Sequence, residues 1–242
     1  MTEQVGVFDD RPSPATGAAA PHVLDRVVWA ALHGPQAAFA ERHGRAVRFH
    51  PEVSSFAALD DETDLRAWAD AARMVGPGGV LMLPAVGTWP TGWRPVFRGE
   101  CLQMVGAGAV AEADAEAVAL GPGDVPEMLD LIARTEPGPF QPRTIELGAY
   151  LGIRRGGALV AMAGERLRPP GWTEISAVCT DPAYRGQGLA GRLVRAVAAG
   201  ILERGERPCL HVLARNTNAV RLYDALGFEV RREIPFTGVV RD

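Results

Sequence analysis

Cysteine is scarce in this chain: Cys101, Cys179 and Cys209 are the only three in 242 residues. An odd, sparse set without metal-ligand spacing argues against a disulfide framework, predicts no metal site and fits reduced thiols in a cytoplasm. Long apolar runs are missing too, so no segment is expected to span a bilayer and no membrane association is predicted. A basic excess is also lacking. The balance of 25 Lys and Arg against 29 Asp and Glu, a net charge of −4, gives no general attraction for nucleic acid. Residues 1–21 hold acidic residues and no basic-then-apolar order, so a secretory signal is not expected. Their Pro, Ala and Gly content predicts a disordered tail. Against these absences, 47% hydrophobic residues suffice for a sizeable core, and the length allows one large or two small domains.

The most informative stretch is Tyr184-Arg185-Gly186-Gln187-Gly188-Leu189-Ala190-Gly191. A loop with two glycines runs into a helix whose apolar stripe holds Leu189, Leu193, Val194, Val197, Ile201 and Leu202, with Gly205 as its expected stop. Upstream, Thr173–Thr180 reads as a strand. Downstream, Cys209–Leu213 reads as a second strand, parallel to the first because a helix connects them. Glycine lets the main chain approach a ligand closely, and a helix's first turn offers unpaired N–H groups and partial positive charge. With Arg185, these features suit a diphosphate.

Two classes of diphosphate carrier compete. Gly186-x-Gly188-x-x-Gly191, with Glu206 about twenty residues on, formally matches the dinucleotide fingerprint. That fold places its first glycine directly after the strand and its acidic residue at the close of the next one. Here Asp181–Arg185 intervene, and Glu206 precedes the second strand. The other class is coenzyme A. Arg185-x-x-Gly188-x-Ala190 matches R/Q-x-x-G-x-G/A, and Asn216 to Phe228 follows N-x-x-A-x-x-x-Y-x-x-x-G-F one helix and one strand later. Both segments resemble the GNAT superfamily of N-acetyltransferases over roughly residues 112–242, most closely its glycine N-acyltransferase-like subgroup.

The resemblance implies an α/β fold, a GNAT-like mixed central sheet flanked by helices. The patterns from Glu116 onward agree: a strand at 116–120, a helix capped by Asp124, a short second helix or turn at Thr144–Leu147 and a hairpin about Arg155-Gly156-Gly157. Residues 22–111 form an additional α/β region of unclear role. Helices are expected within Val23–Ala40 and Leu65–Met74, and strands at Gly79–Leu83 and Cys101–Val105. Gly106–Ala115 reads as the linker. Trp89, Trp93 and Gln103 are read either as packing or as lining an acceptor pocket between the sections.

The resemblance further implies acetyl-CoA as acyl donor and direct attack by a primary amine of a small molecule or amino acid, in a ternary complex. Carried over, Val178, Cys179 and Thr180 offer main-chain groups to the pantetheine arm. The N–H groups of Arg185, Gly186, Gln187, Gly188, Leu189 and Ala190 cradle the diphosphate. Asn216 caps the last helix or bonds the pantetheine. Tyr223 is the candidate acid for the departing thiolate, with simple packing as the alternative. Glu174 is the candidate base, placed by strand alternation on Val178's face, with His211 or water as alternatives. Cys179 lacks an adjacent activating His, so a covalent acyl-enzyme is not expected. Arg143 could pair with an acceptor carboxylate or stay solvated. A homodimer is one possible assembly. A coenzyme-A-binding regulatory module without catalysis is the second reading.

Overall fold

A computed structural model describes residues 22–242; the tail expected over 1–21 lies outside the described residues. The first section opens with a 3-10 turn at Val23–Arg26 and helix α1 (Val27–Leu32). The helix expected to reach Ala40 stops early, since Gly34-Pro35 cannot extend it. Three short strands follow, β1 (Ala40–His43), β2 (Ala46–Phe49) and β3 (Ala57–Leu59), as a separate antiparallel sheet. Sequence periodicity had not indicated them. Helix α2 (Leu65–Val75) is capped by Asp64, whose carboxylate accepts from the Arg66 N–H at 2.9 Å. Strands β4 (Val80–Pro84) and β5 (Trp93–Val105) complete this section.

The second section contains β6 (Val118–Ala119), α3 (Val125–Thr135), a 3-10 turn at Thr144–Leu147, β7 (Tyr150–Arg155), β8 (Ala158–Glu165) and β9 (Trp172–Thr180). It continues with α4 (Leu189–Glu203), β10 (Arg207–Leu213), α5 (Thr217–Ala225) and β11 (Glu229–Arg241). Asp124 does not cap α3 through its own helix; its Oδ2 accepts from the Gly121 N–H at 2.8 Å. The Gly156-Gly157 hairpin is present, both residues at positive φ (56° and 88°), as a tight hairpin turn requires.

Eight strands form one sheet in the order β4-β11-β5-β10-β9-β8-β7-β6. β10 runs parallel to β9 and antiparallel to β5, so the sheet is mixed. Strand β5, from the first section, lies between β10 and β11. The boundary expected at 111/112 therefore divides the chain without dividing the sheet. The expected linker is strapped down: the N–H groups of Val110 and Glu112 donate to the carbonyls of Leu226 and Arg195.

Strand alternation gives the sheet two apolar faces. Leu210 and Val212 of β10 join Leu193, Val194, Val197 and Ile201 beneath α4. Cys209 and Leu213 face the opposite cluster, under α1 and Phe49. Leu202, expected on the α4 stripe, is exposed instead. Each fully buried aliphatic side chain contributes about 1.5–3 kcal/mol, so the two faces hold the site's strands rigidly from both sides.

Candidate active site

Strands β9 and β10 pair only over Arg207↔Trp172, Pro208↔Thr173 and Cys209↔Glu174. Beyond Glu174 they part: β9 follows β8 to Thr180, while β10 follows β5 to Leu213. The split begins near a bulge. Met162 pairs with Cys179 and Gly164 with Ser176, so Ala177 and Val178 together oppose the single residue Ala163. Ala177 has a φ of 53°, a strained value for a residue with a side chain and common where a strand is re-aimed at a site. The bulge also corrects a sequence expectation. Val178 packs with Ile175 beneath α4, so Glu174 faces the other side of the sheet, not the side of Val178.

At the end of β9, Asp181 forms an ion pair with Arg134 of α3, and its Oδ1 accepts from the Ala183 N–H at 2.9 Å. The chain then enters the glycine turn. Gly186 and Gly188 have φ of 79° and 73°, and a Cβ built on either would meet nothing within 4 Å. Gly188 is the N-cap of α4, and no side chain caps that end. The first intrahelical bond runs from the Arg192 N–H to the Gly188 carbonyl at 3.1 Å, so the amides of Leu189, Ala190 and Gly191 precede any helical partner. Arg185 and Gln187 are exposed, and Leu189 buries its side chain, leaving only its amide to offer. An open glycine turn on a helix N-terminus suits a diphosphate. The Thr180 hydroxyl, buried without a partner among the described residues, faces the same question of what it binds. These features fit coenzyme A at the split.

The three other carried-over groups take definite places. Asn216 caps α5, its Oδ1 accepting from the Ala219 N–H at 3.3 Å, which leaves its carboxamide N–H groups for a ligand. Tyr223 is buried against Phe228, with ring centroids 6.2 Å apart. Burial, with the nearby Cys179 sulfur, pushes its phenol up to about 12, so it is protonated at neutral pH and able to donate. Cys179 is buried, and burial pushes its thiol up to about 11. A thiol so held is a poor nucleophile.

Glu174 is fully buried, and its oxygens are taken. Arg166 binds it bidentately, Nε to Oε2 at 2.9 Å and an Nη to Oε1 at 2.8 Å. The Leu167 N–H donates to Oε2 at 3.3 Å, and His211 Nδ1 lies 2.7 Å from Oε1. Burial by itself would raise this carboxyl, but the Arg166 guanidinium overrides it, helped by His211, and holds it far below the usual carboxylate range. Arg166 stacks over Phe56 at 4.6 Å. The expected direct base is thus an anchored anion. His211 is equally committed. Arg231 donates to Gln103 Oε1 at 2.5 Å, turning the Gln103 amide nitrogen toward His211 Nε2 at 3.0 Å. Nε2 then accepts, and Nδ1 carries the proton donated to Glu174. Arg231 also reaches Asp25 at 2.5 Å. Sequence reading missed Arg166, since nothing in its spacing links it to Glu174.

The residues considered for an acceptor pocket pack as follows. Gln103 is 1% exposed inside this polar chain, and Trp93 packs edge-on against Trp68 at 5.4 Å. Trp89 lies half-buried under Arg98. Arg143 is exposed and paired with Glu146 at 2.7 and 2.9 Å. Among the described residues, no group of three or more His, Cys, Asp or Glu is placed to hold a metal ion, and no helix is long and apolar enough to cross a membrane.

Comparisons with known proteins bear on the family and the fold. The family model of FR47-like protein matches residues 150–236. The N-alpha-acetyltransferase RimI of Mycobacterium tuberculosis is 40% identical over 83 residues, covering 33% of this chain and 51% of that protein. The chain thus spans about half the length of this curated relative. A solved structure described as an acetyltransferase from the GNAT family of Novosphingobium aromaticivorans is 42% identical. The match covers 92% of this chain and 100% of that one, with a TM-score of 0.84. A GCN5-related N-acetyltransferase from Kribbella flavida shares the fold at 20% identity, with a TM-score of 0.61 over 92% of this chain and 96% of that one.

Proposed function

The chain belongs to the GNAT family of acetyltransferases, and from that premise we propose that it transfers an acetyl group from acetyl-CoA to a primary amine by direct attack in a ternary complex. The observation that carries the reading is the parting of β9 from β10 beside an open glycine turn at the uncapped start of α4. The pantetheine arm lies in the split, against the main chain of Val178, Cys179 and Thr180. The amides from Arg185 to Ala190 hold the diphosphate. The thioester supplies the electrophilic carbonyl. Tyr223 gives its proton to the departing sulfur. Glu174 works by holding Arg166 and His211 across the point where the strands separate, and the ammonium loses its proton to water in the split. Resemblance to glycine N-acyltransferase-like proteins suggests an amino acid as acceptor, and likeness to RimI suggests an α-amino terminus. Both carry a primary α-amine, which we take as the acceptor class. The three free, buried cysteines support a reducing cytoplasm as the location.

The test is acetyl-CoA-dependent thiol release across a panel of amines, with glycine and an alanyl peptide included. Intersecting initial-velocity lines are expected; parallel lines would indicate an acyl-enzyme. Tyr223→Phe should lower kcat about 100-fold, within the usual reach of general acid catalysis, while calorimetry shows unchanged acetyl-CoA affinity. Binding of acetyl-CoA with no release for any amine would favour a non-catalytic coenzyme sensor. The specific observation behind that second reading is Glu174, whose oxygens are both engaged.

A further inference from the structure

Tyr150 carries a buried hydroxyl that nothing in the site described above uses. The residue is 2% exposed, and its Oη has no hydrogen-bond partner among the described residues. An unpaired buried hydroxyl costs about 1–3 kcal/mol, whereas phenylalanine would keep the ring contacts without that penalty. The ring has been given its place by a glycine. Tyr150 of β7 pairs with Gly164 of β8, and a Cβ on Gly164 would lie 2.2 Å from the ring's Cδ1. Gly164 in turn pairs with Ser176 of β9, directly before the bulge. The ring therefore lies across β8, and a phenol spans more than one strand spacing of about 4.8 Å. Its hydroxyl points past β8 toward β9, whose Ala177 and Cys179 belong to the same cluster.

The surroundings agree with this placement. Tyr150 shares a cluster with Cys179, Met162 and Phe140, and Ala177 packs on its edge. Burial pushes its phenol well up, so the hydroxyl stays protonated. Its cover is Phe140, edge-on at 5.6 Å, at the end of the exposed segment 136–139. Resting on the reading that an acetyl donor occupies the β9/β10 split, we propose that the Tyr150 hydroxyl is an acceptor-binding group. It hydrogen-bonds the primary α-amine end of the acceptor on the face of β9 opposite α4, once Phe140 moves aside.

The experiment compares wild type with Tyr150→Phe by two readouts. Calorimetry titrates glycine and an alanyl peptide separately into each protein saturated with unacylated coenzyme A, so no turnover is needed. Whichever amine binds wild type should bind the variant 3- to 10-fold more weakly, as for one neutral hydrogen bond. Acetyl-CoA affinity should be unchanged, and the melting temperature unchanged or higher. Equal amine binding by the two proteins overturns the proposal, as does binding of neither amine to wild type. A lower melting temperature also overturns it, because the hydroxyl would then have a structural partner. Thiol release by wild type is measured separately, so absence of turnover counts against the acetyltransferase reading and not against the hydroxyl.

Discussion

Replacing Glu174 by glutamine separates an anchor from a base. The change keeps shape and length but removes the negative charge that faces Arg166 and His211, at 11% and 4% side-chain exposure. Breaking a buried ion pair from one side costs about 3–5 kcal/mol, since the partner charge stays buried without compensation. For a chain of this size each kcal/mol lowers the melting point by about 2–4 °C, so Glu174→Gln should melt about 6–20 °C lower. Thermal unfolding followed by circular dichroism reads this directly. Arg166→Met combined with Glu174→Leu should recover part of the loss, because the neutral pair leaves less uncompensated charge. The acid side has a definite sign. Glu174 is held below its unfolded value of 4.5, so its stabilisation is fully present above that pH and is lost as pH falls below it. A Glu174→Gln protein that melts within about 2 °C of wild type, yet loses turnover and the acidic limb of its pH–rate profile, would refute the anchor and restore the base.

Gly188→Ala places a methyl group at φ 73°, a left-handed conformation that costs about 1–2 kcal/mol for a residue with a side chain. Nothing stands within 4 Å of that methyl in the protein itself. The melting point should therefore fall only a few degrees, while calorimetry shows acetyl-CoA affinity reduced at least about 10-fold as the methyl obstructs the amides; unchanged affinity would move the diphosphate elsewhere. Tyr223 predicts an alkaline loss of stability. Its pKa rises from 10 to about 12 on folding, so its contribution is fully present below pH 10 and is lost as pH rises through 12. Denaturant titrations at pH 9 and 11.5 should differ in this direction for wild type, and less for Tyr223→Phe.

The local signals in the sequence were the readable ones. Helix α4 follows its glycine turn and apolar stripe, and the Gly156-Gly157 hairpin and Leu65–Val75 helix follow the same kind of short-range chemistry. The position of β5 was not readable, because pairing it between β10 and β11 joins residues more than a hundred positions apart, and no local pattern encodes such a partner. Glu174 shows the same division. Its residue type and strand were legible. Its face was not, since one bulged residue at Ala177 inverts the alternation that the prediction relied upon. Its burial was not legible either: Arg166 arrives from the connection between β8 and β9, and Gln103 from the other section of the chain.

The role of the first section follows from those partners. Asp25 and Gln103 end the polar chain that begins at Arg166, and Phe56 covers Arg166 from above. Gln36 adds hydrogen bonds to the Arg166 carbonyl at 2.6 Å and to the Arg168 N–H at 3.0 Å. On that face of the sheet the cover over Glu174 is shared: Leu24, Val28, Phe49 and Phe56 come from residues 22–111, and Leu167, Trp172, Cys209 and Phe236 from the second section. An ion pair at such a split would be solvated and weak if exposed, at about 0–1 kcal/mol. Buried, it is unforgiving of the loss of either partner. The first section therefore converts an ordinary strand glutamate into a fixed strut where β9 and β10 separate. Residues from both sections thus meet where the strands part, with Gln103 of β5 reaching His211 of the neighbouring β10.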